Sequence, residues 1–149
     1  GRGAVMQADP LYRCWQHICD EAGERVHTIY MSPCGRVLTQ QVARELTEAY
    51  RQLIDKAHAK GLKVYGGTIT PFGGHSYYSF FHEAARQTVN EWIRHSGAFD
   101  GVIDFDALLR DPAHPDRLKA EYQSDWLHPN PAGYEQMGIY AAKVLLNEK

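Results

Sequence analysis

Asp125 and His128 stand three residues apart in the segment SDWLHPN, just ahead of an apolar stretch that closes the chain. A carboxylate at that spacing can fold back onto the imidazole of the same short loop. Bonded to one ring nitrogen, it fixes the tautomer and stabilises the imidazolium. The other nitrogen is then left to take a proton from a hydroxyl nucleophile. Pro129 and Pro131 restrict the loop backbone on the far side of the histidine. An Asp and a His three apart also describe an ordinary surface pair, so the reading rests on what surrounds them.

The remaining titratable residues offer less. His75, His82, His95 and His114 have no carboxylate at a useful spacing and read as surface or packing residues. Cys14, Cys19 and Cys34 are an odd number, so they cannot form a complete disulfide framework, and a reducing compartment is the simpler reading. Their spacing fits no zinc pattern. No metal and no organic cofactor is expected.

The elements that must position the pair can be read from periodicity. Val42, Leu46, Ala49, Tyr50, Leu53, Ile54 and Ala57 recur at helical spacing, with Arg44, Glu48, Arg51, Asp55 and Lys56 off the stripe. Gly61 stands where a helix cap belongs, and LKVYGGTIT then reads as a short buried strand. Tyr78, Phe81, Ala85, Thr88, Val89, Trp92 and Ile93 give a second amphipathic helix that should end near Ser96 and Gly97. FDGVIDF is another strand, and the proline-rich stretch up to Asn130 reads as a long surface connection with one helical turn. Asn130 as N-cap and Pro131 at the first helical position open a last helix, which should bury Tyr134, Met137, Ala141, Val144 and Leu145.

From residue 42 onward the order is helix, strand, helix, strand, loop, helix, the alternation of a parallel sheet covered by helices. Two strands cannot complete such a sheet, so residues 1–41 or a partner must supply more. Within them VHTIYM reads as a strand and LYRCWQHICDEA as a short helix.

Taken together, AYRQLIDKAHAKGLKVYGGTITPF, NEWIRHSGAFDGVIDFDALLRDP and SDWLHPNPAGYEQMG resemble the C-terminal half of the SGNH hydrolases, the GDSL-type esterases and acylhydrolases, over residues 42–142. The resemblance implies a three-layer α/β/α sandwich with a flavodoxin-like parallel sheet, an N-terminal part that is incomplete, and a single domain over 1–149 with 1–41 atypical. It also implies that His128 is the general base and Asp125 its orienter in an acyl-enzyme mechanism. The family's Gly-Asp-Ser and Gly-x-Asn-Asp motifs do not occur in the sequence. Three readings stay open at this point. The chain is a C-terminal portion whose front was lost or replaced, with a junction near Arg36 to Leu38; or Ser32 or Cys34, at the end of VHTIYM, serves as nucleophile, with Ser76 and Ser79 weaker candidates; or the domain binds without turnover, in a groove lined by Tyr77, Tyr78, Trp126 and Tyr134.

Bulk properties narrow the class. With 149 residues, 44% hydrophobic and 23% charged, the chain suits one globular domain and argues against disorder. A formal charge of -2 without a Lys/Arg cluster argues against nucleic acid as partner, and no apolar run approaches a membrane span. The compartment is left open. A small-molecule ester is the expected substrate, and an unfilled sheet edge predicts a homo-oligomer.

Overall fold

The computed structural model describes residues 40–146. Helix α1 spans Gln40–His58 and leads through a glycine-capped turn into strand β1, Tyr65–Gly67. Helix α2, Phe80–His95, connects β1 to strand β2, Gly101–Ile103. A short helix α3, Phe105–Leu109, a single 3₁₀ turn at Ala120–Tyr122, and helix α4, Pro131–Leu146, complete the order. The two strands pair in parallel, with Tyr65 opposite Gly101 and Gly67 opposite Ile103, which makes β1, α2 and β2 one strand–helix–strand unit.

The stripe read in α1 is the face that packs. Val42, Leu46 and Ile54 are buried, and Arg44, Glu48, Arg51, Asp55 and Lys56 point to solvent. Gly61 adopts φ 74 and accepts the left-handed turn behind the helix, as its position predicts. Ala43 and Leu46 of α1 meet Ala85, Val89 and Ile93 of α2, with Tyr50, Trp92 and Phe99 closing the cluster. On the other side of the sheet Ile103 meets Ala141 and Ala142 of α4. Helices thus pack on both faces of the two-stranded sheet. Gly66 permits this close approach, because a Cβ there would lie 2.7 Å from the Phe99 ring and 3.0 Å from Ile93.

Four expectations are corrected. The β1 strand is shorter than LKVYGGTIT, because past Thr68 the N–H and C=O of Ile69 bond the side chain of Asn90 on α2 instead of a neighbouring strand. The stripe assigned to α2 included Phe81 and Thr88, which are exposed, while Arg86 and Asn90 are fully buried. The connection ahead of Asn130 is not a surface loop throughout: Leu109 and Leu118 are both fully buried, and Arg110 pairs with Leu118 in an antiparallel bridge. In α4 the most buried positions are Gly133, Gly138, Ala141 and Ala142, with Tyr134, Met137, Val144 and Leu145 partly covered.

A polar network anchors the segments that leave the strands. Arg86 donates to Asp106 at 2.7 Å and to the Ile69 carbonyl at 2.9 Å, and forms a two-pronged pair with Glu83. Arg94 grips Asp104 with two bonds, at 2.8 and 2.9 Å, and reaches Asp106 at 2.6 Å. The Thr68 hydroxyl donates to Asp104 and accepts from the backbone N–H of Asp106. The chain beyond β1 and the chain beyond β2 are therefore tied to the same face of α2.

Candidate active site

The loop between the 3₁₀ turn and α4 is closed by its own hydrogen bonds. Asn130 caps α4 by accepting from the N–H of Gly133 at 2.9 Å, as its position predicts, and its amide donates to the carbonyls of Glu121 and Gln123. Its backbone N–H donates to the Tyr122 carbonyl. Gln123 and Pro129 form an antiparallel bridge, and both the N–H and the hydroxyl of Ser124 donate to the His128 carbonyl. One asparagine thus joins the root of the loop to the start of the helix.

Inside this frame, Asp125 and His128 meet directly. Asp125 Oδ2 lies 2.7 Å from His128 Nδ1, while Oδ1 accepts from the backbone N–H groups of Leu127 at 2.9 Å and His128 at 2.7 Å. The His128 N–H, then the His128 ring and the Leu127 N–H, hold the Asp125 carboxyl well below the usual carboxylate range. Asp125 is thus an anion at neutral pH, and an anion at Nδ1 favours the tautomer with its proton there. Nε2 is then the basic nitrogen. Both side chains are about half exposed, so hydrogen bonds rather than a dry environment hold the pair.

Where the pair sits matters as much as its geometry. In parallel α/β sheets ligands bind beyond the carboxyl ends of the strands. The chain that leaves the carboxyl end of β1 reaches Gly74, which lies against the ring of Trp126 in the same loop. The N–H of Gly73 also bonds the Asp116 carbonyl, at 2.6 Å. The glycine-rich segment therefore forms a wall beside the Asp125–His128 loop.

A second His–Asp pair escaped the sequence reading. His58 Nε2 lies 2.8 Å from Asp100 Oδ2, which also accepts from the N–H of Val64 at 2.7 Å. With partners 42 residues apart, no local spacing signals it. Val64 and Asp100 immediately precede β1 and β2, so this pair sits at the amino ends of the strands and fastens α1 to the sheet. His95 likewise has a carboxylate neighbour after all, Glu91 one helical turn earlier at 3.4 Å, in an exposed contact.

Among the described residues, no side-chain hydroxyl or thiol bonds His128 Nε2. Ser79 caps α2 by accepting from the N–H of His82, Ser96 accepts from the N–H of Ala98, and Ser124 is turned to the His128 carbonyl. Ser32, Cys34 and the junction expected near Arg36 lie outside the described residues. No group of three or more metal-ligating side chains gathers among the described residues, and none of their helices is long and apolar enough to cross a membrane.

A model of the GDSL-like lipase/acylhydrolase family matches residues 21–136. Similarity of another kind covers shorter stretches. The tRNA (guanine-N(1)-)-methyltransferase of Ruminiclostridium cellulolyticum is 34% identical over 62 residues, 42% of this chain and 27% of that protein. The Hydrogenovibrio crunogenus protein of the same name is 46% identical over 46 residues, 31% of this chain and 19% of that protein. The chain thus spans about a quarter or less of the length of these relatives. A 62-residue stretch exceeds what lies ahead of or behind the family match, so the two similarities share residues.

Proposed function

The chain belongs to the GDSL-like lipase/acylhydrolase family, and from that premise we propose that it is a carboxylic ester hydrolase in which His128 is the general base and Asp125 its orienter. The observation that carries the proposal is the Asp125–His128 bond at 2.7 Å, which occupies Nδ1 and leaves Nε2 to move protons beside the wall that leaves β1. The family match also supports reading the two parallel strands as part of a three-layer α/β/α sandwich.

The chemistry follows from these roles. Nε2 takes the proton of a serine hydroxyl as its oxygen attacks the ester carbonyl, and the tetrahedral intermediate collapses with the proton passing to the departing alcohol. Water then gives its proton to Nε2 and attacks the acyl-enzyme, and as the acid is released Nε2 returns that proton to the serine oxygen. Through both halves Asp125 stays ionised and stabilises the imidazolium. Ser32 is the nucleophile we assign on sequence position, with Cys34 as the alternative.

The test is hydrolysis of a short-chain aryl ester by the 149-residue chain beside His128→Ala and Asp125→Asn. Asp125→Asn should lower kcat by about 10⁴-fold, the size seen when an orienting carboxylate is neutralised in such a triad, and His128→Ala, which removes the base itself, by about 10⁶-fold. A fluorophosphonate label located by mass spectrometry should fall on Ser32. Turnover that survives His128→Ala refutes the assignment of the base. The absence of both turnover and label refutes the enzyme and leaves the rival reading, an inactive family member or binding module that lacks the nucleophile.

A further inference from the structure

Trp126, between the two members of the pair, is the one non-glycine residue at positive φ among the described residues, at φ 64. A large side chain in the left-handed region is an outlier, because its Cβ crowds the following carbonyl. Such a conformation persists only where the surroundings over-determine it. Here three contacts do so. The Trp126 N–H donates to Gln123 Oε1 at 3.1 Å. The Arg117 guanidinium carbon stands 5.7 Å from the centre of the ring. Gly74, itself at φ 99, faces the ring so closely that a Cβ would come within 2.9 Å of Trp126 Cγ.

The left-handed residue has a direct consequence for its neighbours. It curls the chain between Asp125 and Leu127, so that the N–H groups of Leu127 and His128 turn back onto one carboxylate oxygen while the imidazole meets the other. We propose that Trp126 is a positioning residue for His128: its ring, packed against Gly74 and Arg117, holds the left-handed turn that closes Asp125 around the His128 backbone and ring. A glycine at this position would adopt the turn freely and keep the N–H bond to Gln123, but would lose the contacts to Gly74 and Arg117. The indole ties it to the segment leaving β1, and so fixes where Nε2 stands relative to the wall of the site. The catalytic meaning rests on the hydrolase reading above; the geometric claim does not.

The experiment separates the two by using a readout that needs no turnover. The Asp125 carboxyl carbon and the His128 backbone N–H are followed by NMR across acid pH in the full chain and in Trp126→Ala, Trp126→Gly and Trp126→Phe. Alanine removes the ring and keeps the cost of the left-handed turn, so the Asp125 midpoint should rise toward the ordinary value of about 3.9. Glycine also removes the ring but adopts the turn at little cost, so its midpoint should stay closer to that of the parent, and phenylalanine should restore most of the effect. Arg117→Met, a change outside the loop, should move the midpoint in the direction of alanine by a smaller amount and keeps the test decisive where a Trp126 variant folds poorly. An Asp125 midpoint unmoved in Trp126→Ala, or moved equally by alanine and glycine, overturns the proposal in favour of simple packing. Absence of ester turnover in the parent overturns the hydrolase reading while leaving the titration to decide the role of Trp126.

Discussion

Replacing Asp106 by Asn should be among the most damaging single substitutions in this chain, although the two side chains have nearly the same shape. Asp106 is fully buried and accepts from three arginines, Arg86 at 2.7 Å, Arg94 at 2.6 Å and Arg110 at 3.1 Å. Arg86 is fully buried too. Removing one member of a buried pair typically costs about 3–5 kcal/mol, because the other charge stays desolvated without its partner. Glu83 continues to hold two of the Arg86 nitrogens, and Asp104 continues to hold Arg94, which places the expected loss at about 3 kcal/mol, the lower end. Against a total stability of about 5–15 kcal/mol, that is a large fraction. Urea unfolding followed by far-UV circular dichroism is the assay, and with a slope of about 1–3 kcal/mol/M the midpoint should fall by about 1–3 M at unchanged slope. Arg86→Met and the double variant complete a thermodynamic cycle, with an expected coupling of about 1–3 kcal/mol. A loss below about 1 kcal/mol, or strict additivity, would show that the network behaves like a surface pair, and the account of how the strand ends are anchored would fall.

Acid should weaken the same network. Burial opposes ionisation of Asp104, yet the bonds from Arg94, the Ala107 N–H and Thr68 prevail and bring its carboxyl down to about 2. A carboxyl lowered on folding stabilises the protein above its unfolded pKa of about 3.9, and that contribution is lost as pH falls toward 2; Arg94→Met should flatten the stability profile across this window, and an unchanged profile refutes the attribution. Asn130→Ala should cost about 1–3 kcal/mol by removing a helix cap together with two carbonyl contacts, whereas Asn130→Asp keeps the cap and loses only the donors; equal thermal midpoints for the two would contradict the dual role. The exposed rings of Tyr77, Phe80 and Phe81 lead us to expect a homo-oligomer, and light scattering that returns the 16.9 kDa of one chain refutes it.

Periodicity recovered the long helices because their apolar residues repeat on one face: α1 buries Val42, Leu46 and Ile54 as the spacing requires. It failed where polar residues take the buried positions. Nothing in the sequence marks Arg86 and Asn90 as interior residues, since their burial depends on Asp106 and on the backbone of Ile69, partners that only the fold brings near. The Asp125–His128 pair was legible for the opposite reason. Its partners are three residues apart, so the loop alone can join them. The His58–Asp100 pair has nearly the same bond length and was invisible, because its members lie on different elements. The left-handed turn at Trp126 was likewise illegible, since a tryptophan gives no signal for a conformation that glycine usually supplies.

The distribution of arginines also bears on the two similarities. An enzyme that acts on tRNA meets phosphates with accessible Lys and Arg charges alongside neutral hydrogen-bond donors. In this chain Arg86 is enclosed by Asp106 and Glu83, Arg94 is held by Asp104 and Asp106, and Arg110 reaches Asp106 as well. Arg117 stands over the Trp126 ring. These charges are engaged with the fold and the loop, and the formal net charge of the chain is -2. Arg86, Arg94 and Arg110 thus hold the strand ends, whereas Arg44 and Arg51 on α1 point to solvent. The family match over residues 21–136 covers more of this chain than the methyltransferase similarity, which spans 62 residues.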